Sequence, residues 1–370
     1  MKLLRVKAIA NKEFIQIWRD PLSLAIAFLM PVIQLFIFGY AITYDVNNLT
    51  TIVYDQDRSQ LGRELVAEFE YSGYFSILAY VEHDTDIDTY LDAGKARVAI
   101  MIPPRFARDV STGRDAHVGI IIDGSDSNTA TIAEGYISGI AQRFPQRLAG
   151  VHITPPIEAR PRVWYNPELK SRNFIVPGLI AMIMAVVVAL LTSLTIAREW
   201  ERGTMEQLIT TPVKTPELII GKLIPYFMIG FIDMILSVVM GVYLFHVPLT
   251  GSLVLLVALS SIFLFGGVCQ GIVISIVAKN SQALASQMAL LSTFLPAFLL
   301  SGFVFSIANM PKVLQFVTYI VPARYFVTIL KGIFMKGSGL HLLLWDAVLL
   351  SIYAAVVFLV ANKRFQKRID

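Results

Sequence analysis

The stretch "MILSVVMGVYLFHVPLTGSLVLLVALSSIFLFGGVCQGIVISIVA", Met234 to Ala278, runs for 45 residues without an Asp, Glu, Lys or Arg. A helix crosses a hydrocarbon core of about 30 Å with roughly 20 apolar residues, so the run is too long for one crossing. The "HVPLTGS" segment at His246 to Ser252 carries the turn chemistry that divides it in two. The first half extends back past Asp233 to about Gly221. Working outward, Leu22 to Tyr44 and Asn173 to Ala197 are charge-free, Asn280 to Pro311 supplies a fifth span, and Leu340 to Ala361 a sixth.

Composition agrees. Of 370 residues, 55% are hydrophobic and 16% charged, and the mean hydropathy is +0.64, whereas soluble domains carry about a quarter charged residues. That balance excludes a disordered chain, a nucleic-acid-binding tail protein and an ordinary cytosolic enzyme. Cys269 is the sole cysteine, which excludes a disulfide scaffold.

Lys and Arg near span ends set orientation. With the N-terminus inside, 14 such residues fall on cytoplasmic segments, from Lys2 through Arg198, Lys222 and Lys279 to Arg368. Outside, the turn at 246–252 has none and the segment 306–339 carries Lys312, Arg324, Lys331 and Lys336, so, the insertion set aside, both termini are expected in the cytoplasm. Trp18, Trp164, Trp200 and Trp345 all lie at predicted span ends, where indoles settle. Arg5, Lys12 and Arg19 form one stripe of a wheel, opposite Leu3, Val6, Ala10, Phe14 and Ile17. The expectation is an interfacial amphipathic helix, not a signal peptide.

Residues 45–170 hold 12 Lys+Arg against 18 Asp+Glu, a net of −6, while the rest of the chain carries +10. Strands are expected at Thr51–Asp55, Tyr74–Val81, Ala96–Ile102, His117–Asp123 and Arg160–Tyr165. Helices are expected at Ser59–Tyr71, Thr85–Asp92, Arg105–Val110 and Ser127–Leu148. This alternation predicts a small α/β domain. The chain therefore divides into an amphipathic helix (1–20), span one (21–44), the α/β insertion (45–170) and span two (171–197). A charged loop (198–220), span three (221–246), span four (252–278) and span five (280–305) follow. A basic outer hairpin (306–339), span six (340–361) and a tail (362–370) complete it. The fold class is a polytopic α-helical membrane protein of six transmembrane helices with an inserted α/β extracytoplasmic domain.

Asp84, Asp86 and Asp88 imitate a calcium loop, but Thr89 and Lys95 occupy the positions that need Gly and Glu, leaving an acidic helix start. "DGSDS", Asp123 to Ser127, has the spacing of a metal-dependent adhesion site. It reads better as a turn in which Ser125 or Asp126 caps the following helix. No phosphate-binding loop, paired His/Cys ligand set or nucleophile elbow occurs, and the five histidines are scattered. Neither catalysis, nor a metal, nor a cofactor is expected of this chain.

The loop "AREWERGTMEQLITTPVKTPELIIGKLIP", Ala197 to Pro225, contains two helix starts in succession. Thr204 with Gln207 forms a capping box, "TTP" stops the short helix, and Thr215 with Pro216 starts the next. A short, charged helix with two sharp boundaries is a docking element. In these residues the chain resembles the membrane subunits of type-2 ABC exporters. The pattern is carried by Glu199, Glu201, Gly203, Thr204, Glu206, Leu208, Thr211 and Pro212, and continues with Glu217, Gly221 and Lys222. "KARVAIMIPPRFARDV", "IIDGSDSN" and "SGFVFSIANMPKVLQFVTYIVPARYF" extend the likeness along nearly the whole chain.

The resemblance implies two six-span units side by side, as a homodimer or a pair of paralogues. Each engages a cytoplasmic ATPase that holds ATP and Mg, while residues 306–338 form an outer re-entrant hairpin. It implies that Glu199, Glu201, Gly203, Thr204, Glu206 and Leu208 meet the ATPase, and that spans two and five flank the dimer axis. Met182, Met184, Phe294 and Phe298 are then candidate path residues, with core or lipid-facing packing as the alternative for each. Asp233, about 16 Å into span three, is either part of a cation or proton path or a structural group. The structural reading pairs it with Gln270, Gln282, Gln287 or another polar neighbour, or leaves it protonated. Gly267 and Gly271 permit close helix approach in span four.

The function expected is the permease subunit of an exporter of hydrophobic or amphiphilic compounds, drugs or lipids, in a bacterial inner membrane. Its partners are the ATPase, a second permease and membrane lipids, with a periplasmic adaptor left open and nucleic acid excluded. The alternative is a mechanotransmitter that drives an external partner through the insertion. A secondary transporter would show repeats and several intramembrane charges, and ranks last.

Overall fold

The computed structural model describes residues 2–41, 48–148, 164–166, 170–278 and 281–365. The chain folds as two compact units: residues 1–43 with 163–370, and residues 44–162.

Among the described residues of the first unit, six helices are long and apolar enough to span a membrane: Pro21–Ala41, Ser171–Glu201, Thr215–Leu244, Leu253–Ala278, Gln282–Leu300 and Leu340–Arg364, spans one to six. Span two is the core, with 89% of its most apolar stretch buried; spans one, three, four and five pack around it. Small residues permit this. A Cβ on Gly271 of span four would meet the Thr192 side chain of span two, its Cβ 2.7 Å away, so only glycine lets these helices touch there. Gly267 has more room, with Val188 at 3.4 Å.

The N-terminal helix Leu3–Trp18 lies along span three. Its buried residues are Val6, Ile9, Glu13 and Ile17, a stripe rotated from the expected one. Leu3 is 80% exposed and Phe14 44%, because the face set against protein is the one bearing Glu13. After span five, Lys312–Thr318 and Pro322–Lys336 form a pair of helices bent by 85°.

The second unit is a four-stranded sheet: β1 Leu49–Asp55, β2 Phe75–Tyr80, β3 Val98–Ile102 and β4 Gly119–Ile122. Its order is β2-β1-β3-β4, with β1 parallel to β2 and β3, and β4 antiparallel to β3. Gln60–Tyr71, Phe106–Ser111 and Ser127–Leu148 cover one face around Val53, Phe69 and Ile100, and Asp84–Asp92 covers the other around Ile52 and Ile87. The strand expected at 160–165 falls largely outside the described residues.

"DGSDS" is a turn. The Asp123 carboxylate accepts from the Ser125 N–H at 3.0 Å, and Asp126 accepts from the Thr129 hydroxyl at 2.6 Å and the Thr129 N–H at 3.4 Å. Asp84 and Asp86 lie in the first turn of their helix, where Asp86 accepts from the His83 N–H.

Candidate functional site

The loop between spans two and three is held from behind by a buried ionic cluster. Lys222 of span three donates to Glu13 of the N-terminal helix at 2.6 Å and to Glu199 of span two at 3.4 Å. Its side chain is 1% exposed, and those of Glu13 and Glu199 2% each. Tyr226 donates to the second Glu13 oxygen at 3.3 Å, and Lys12, half in solvent, bridges Glu199 and Glu13. Two carboxylates and two ammonium groups thus neutralise one another at the meeting of three helices. A lone buried charge would cost several kcal/mol, which ties each helix to the other two.

Close approach makes the cluster possible. A Cβ on Gly221 would stand 2.8 Å from the Ile9 Cβ and 3.2 Å from the Val6 carbonyl, so glycine alone lets the N-terminal helix reach Lys222. Neighbouring contacts extend the brace. Glu217 accepts from the backbone N–H groups of Lys2 (2.7 Å) and Lys214 (3.0 Å), and Arg5 reaches both Glu217 and the Pro212 carbonyl. Arg198 pairs with Asp20 at 2.9 Å and donates to Ser23 and Gln282, joining the starts of spans one and five to the end of span two.

The loop helix itself is Thr204–Thr210. Its cap is not Thr204 but Gly203, in the left-handed conformation (φ 68°) that glycine adopts without strain. Thr204 is the first helical residue, and its hydroxyl turns back to donate to the Glu199 carboxylate. The next helix is likewise capped one residue early, at Lys214, whose N–H donates to Glu217 three residues on. Met205 is buried, and Leu208 faces Val213, Leu218 and Phe365. Glu201, Gly203 and Glu206 are exposed, with Glu201 accepting from the Gln282 side chain at 2.8 Å.

The six residues expected at an ATPase contact therefore separate. Glu201, Gly203 and Glu206 face solvent, Thr204 and Leu208 are half-buried and turned inward, and Glu199 is an internal brace that presents no surface. Glu13 and Lys12 were missed. A lone acid in the stripe Val6, Ile9, Glu13, Ile17, with Lys222 and Glu199 just inside two span ends, was the available signal.

Among the path residues, Met182 and Met184 are buried in span two, while Phe294 and Phe298 stack on span five with ring centres 5.6 Å apart. Asp233 is fully buried, and neither carboxylate oxygen has a hydrogen-bond partner among the described residues. The glutamines that one of the alternatives paired with it are engaged elsewhere or exposed: Gln270 with Thr293 and Tyr353, Gln282 with Arg198 and Glu201, and Gln287 at the surface.

Six apolar spans, a folded insertion after the first, and a short loop helix locked to two spans define the membrane subunit of a transporter. The chain belongs to the ABC-2 family transporter proteins, whose pattern it matches over residues 21–362. It is 40% identical to the probable multidrug ABC transporter permease YbhS of Escherichia coli, over 96% of this chain and 94% of that protein. Identity to the probable multidrug ABC transporter permease YbhR of the same organism is 33%, over 93% of each chain. ABC transporter G family member 20 of Dictyostelium discoideum is 23% identical over 92% of this chain, which spans 47% of that protein.

Proposed function

We propose that this chain is the permease subunit of an ATP-driven exporter that moves hydrophobic or amphiphilic compounds, of the drug or lipid class, out of the cytoplasm or inner leaflet of a bacterial inner membrane. A separate ATPase docks on residues 198–220, both termini face the cytoplasm, and a second permease completes the pair. The observation that carries this reading is the asymmetry of the loop helix. It offers Glu206 to solvent, beside Glu201 at the end of span two, and its rear is fixed to the span ends through Thr204, Glu199, Lys222 and Glu13. A push on the exposed side is delivered to spans two and three without slack, because the ionic cluster is buried and satisfied. A groove of about 260 Å³ beside it, lined by Arg5, Lys12, Leu208 and Thr211, gives a partner's side chains a seat.

Glu206→Lys tests the docking. It reverses an exposed charge, leaves insertion and fold intact, and is expected to abolish both co-purification of the ATPase and export. Normal co-purification would remove the assignment. The folded α/β unit favours one further reading, in which ATPase strokes work an external partner through the insertion. Transport by purified permease and ATPase in liposomes without any external protein decides for export.

A further inference from the structure

A cavity of about 330 Å³ lies within the membrane unit, among spans two, four, five and six and the helix pair after span five. That is the lower end of ligand-pocket volumes, about 300–1,000 Å³. Ala185, Phe263, Gly267, Pro296, Leu300 and Val321 form apolar walls, and among the described residues no Asp, Glu, Lys, Arg or His lines it. None of Met182, Met184, Phe294 or Phe298 reaches it.

Three hydrogen-bonded polar side chains stand in the lining of this apolar space. The Tyr353 hydroxyl donates to Gln270 Oε1 at 2.6 Å, and Gln270 Nε2 donates to Thr293 Oγ1 at 3.2 Å. An amide nitrogen has two hydrogens and a hydroxyl has one of its own. The second Gln270 N–H and the Thr293 O–H have no acceptor among the described residues. Several helical hydroxyls in this protein return their proton to the preceding turn, as Ser292 does to Met288 (2.6 Å) and Thr192 to Val188 (2.7 Å), although Ser260 finds no partner among the described residues. Thr293 does not return its proton. It sits in the π-helical turn Leu290–Phe294, followed by Pro296, which has no N–H. Such single π turns cluster at functional positions.

We propose that this cavity binds a neutral amphiphile, whose acceptor oxygen takes hydrogen bonds from Thr293 and Gln270 and whose apolar body lies against Phe263 and Leu300. A cation would enter without a counter-charge and lose its hydration unpaired. Ser292, Val317 and the 78% exposed Ile320 lie at the rim, where a molecule dissolved among lipid tails enters. The site narrows the amphiphile class of the exporter reading, on which its role as a cargo site rests. Binding itself stands without that reading.

The test uses the full-length protein in nanodiscs, with tritiated monoolein as the neutral probe and oleylamine as its cationic counterpart. Saturable monoolein binding is expected, at least tenfold tighter than oleylamine. Thr293→Val and Gln270→Leu each weaken monoolein by about tenfold, the order of one hydrogen bond made in an apolar site. Thr293→Ser, which keeps the hydroxyl, restores it and guards against a folding artefact. Absence of saturable binding to the wild type, equal affinity for oleylamine, or unchanged affinity in both variants overturns the proposal. With the ATPase reconstituted, ATP-driven loss of bound monoolein identifies cargo, and retention through turnover identifies a resident bilayer lipid. Either keeps the site, and a failure of transport alone counts against the exporter reading only.

Discussion

Lys222→Met is the sharpest perturbation of the ionic cluster. The lost ammonium is 1% exposed and lies 2.6 Å from Glu13 and 3.4 Å from Glu199. Without it, two carboxylates, each 2% exposed, share Lys12 alone, and the Lys12 side chain is 45% exposed. Breaking a buried pair by removing one partner costs about 3–5 kcal/mol. The bridging Lys12 offsets part of that, so about 3 kcal/mol is expected, a fall in Tm of about 6–12 °C at the 2–4 °C per kcal/mol of domains of 150–250 residues. Cys269, the only cysteine and 0% exposed, makes the measurement direct, because a thiol-reactive dye labels it only on unfolding. Adding Glu13→Gln leaves Glu199 matched by Lys12, so the double variant loses less than the sum of the singles by about 1–3 kcal/mol. If Lys222→Met melts with the exposed control Lys312→Met, or the two changes add, the cluster does not hold the helices together.

Three other outcomes follow from the geometry. Gly221→Val brings a side chain within 2.8 Å of Ile9; overpacking of about 1–3 kcal/mol lifts the N-terminal helix, read as faster tryptic cleavage at Lys7. Asp233→Leu removes two buried oxygens that lack partners and is expected to raise stability by about 1–3 kcal/mol in the same dye assay; a fall would mean that the carboxyl is paired. In the α/β unit, hydrogen bonds from the Ser59 side chain and the Ala107 and Arg105 N–H groups hold the Asp57 carboxyl below the usual carboxylate range. The folded unit therefore binds this proton less readily than the unfolded chain. Its stabilisation is complete above about pH 4 and is lost as the pH falls further. Asp57→Asn should flatten that acid limb in hydrogen exchange of the β1 amides.

Membrane character was legible because burial in lipid leaves an unmistakable mark, a charge-free run such as Met234 to Ala278. Strand and helix alternation in the insertion was legible for the same kind of reason, since period and turn residues are local. What the sequence hid was direction. Glu199 and Glu201 are two residues apart in one "E-x-E" pattern, yet one is sealed between lysines and the other meets solvent. Only the tertiary partner, Lys222 in another helix, decides which. The caps were missed by one residue because neither acts through its side chain: Gly203 supplies a backbone angle, and Lys214 engages Glu217 through its backbone N–H. For Asp233 the sequence left a path role, a polar partner or a protonated carboxyl open, and of these the glutamine partner fails at Gln270, because helix rotation turns it toward Thr293 and Tyr353.

The burial of span two bears on how the protein is made. Its mean hydropathy, 2.9, is the highest of the six spans, although it ends with 89% of that stretch covered by other helices. A helix covered by protein has no continuing need for a surface that suits hydrocarbon. Synthesis runs from the N-terminus, however, and span two leaves the ribosome before spans three to six, its later wrapping, exist. Its apolar excess serves a transient state, in which the future centre of the molecule waits as a solitary rod in lipid. A polar substitution there would be felt first as failed integration and only afterwards as poor packing.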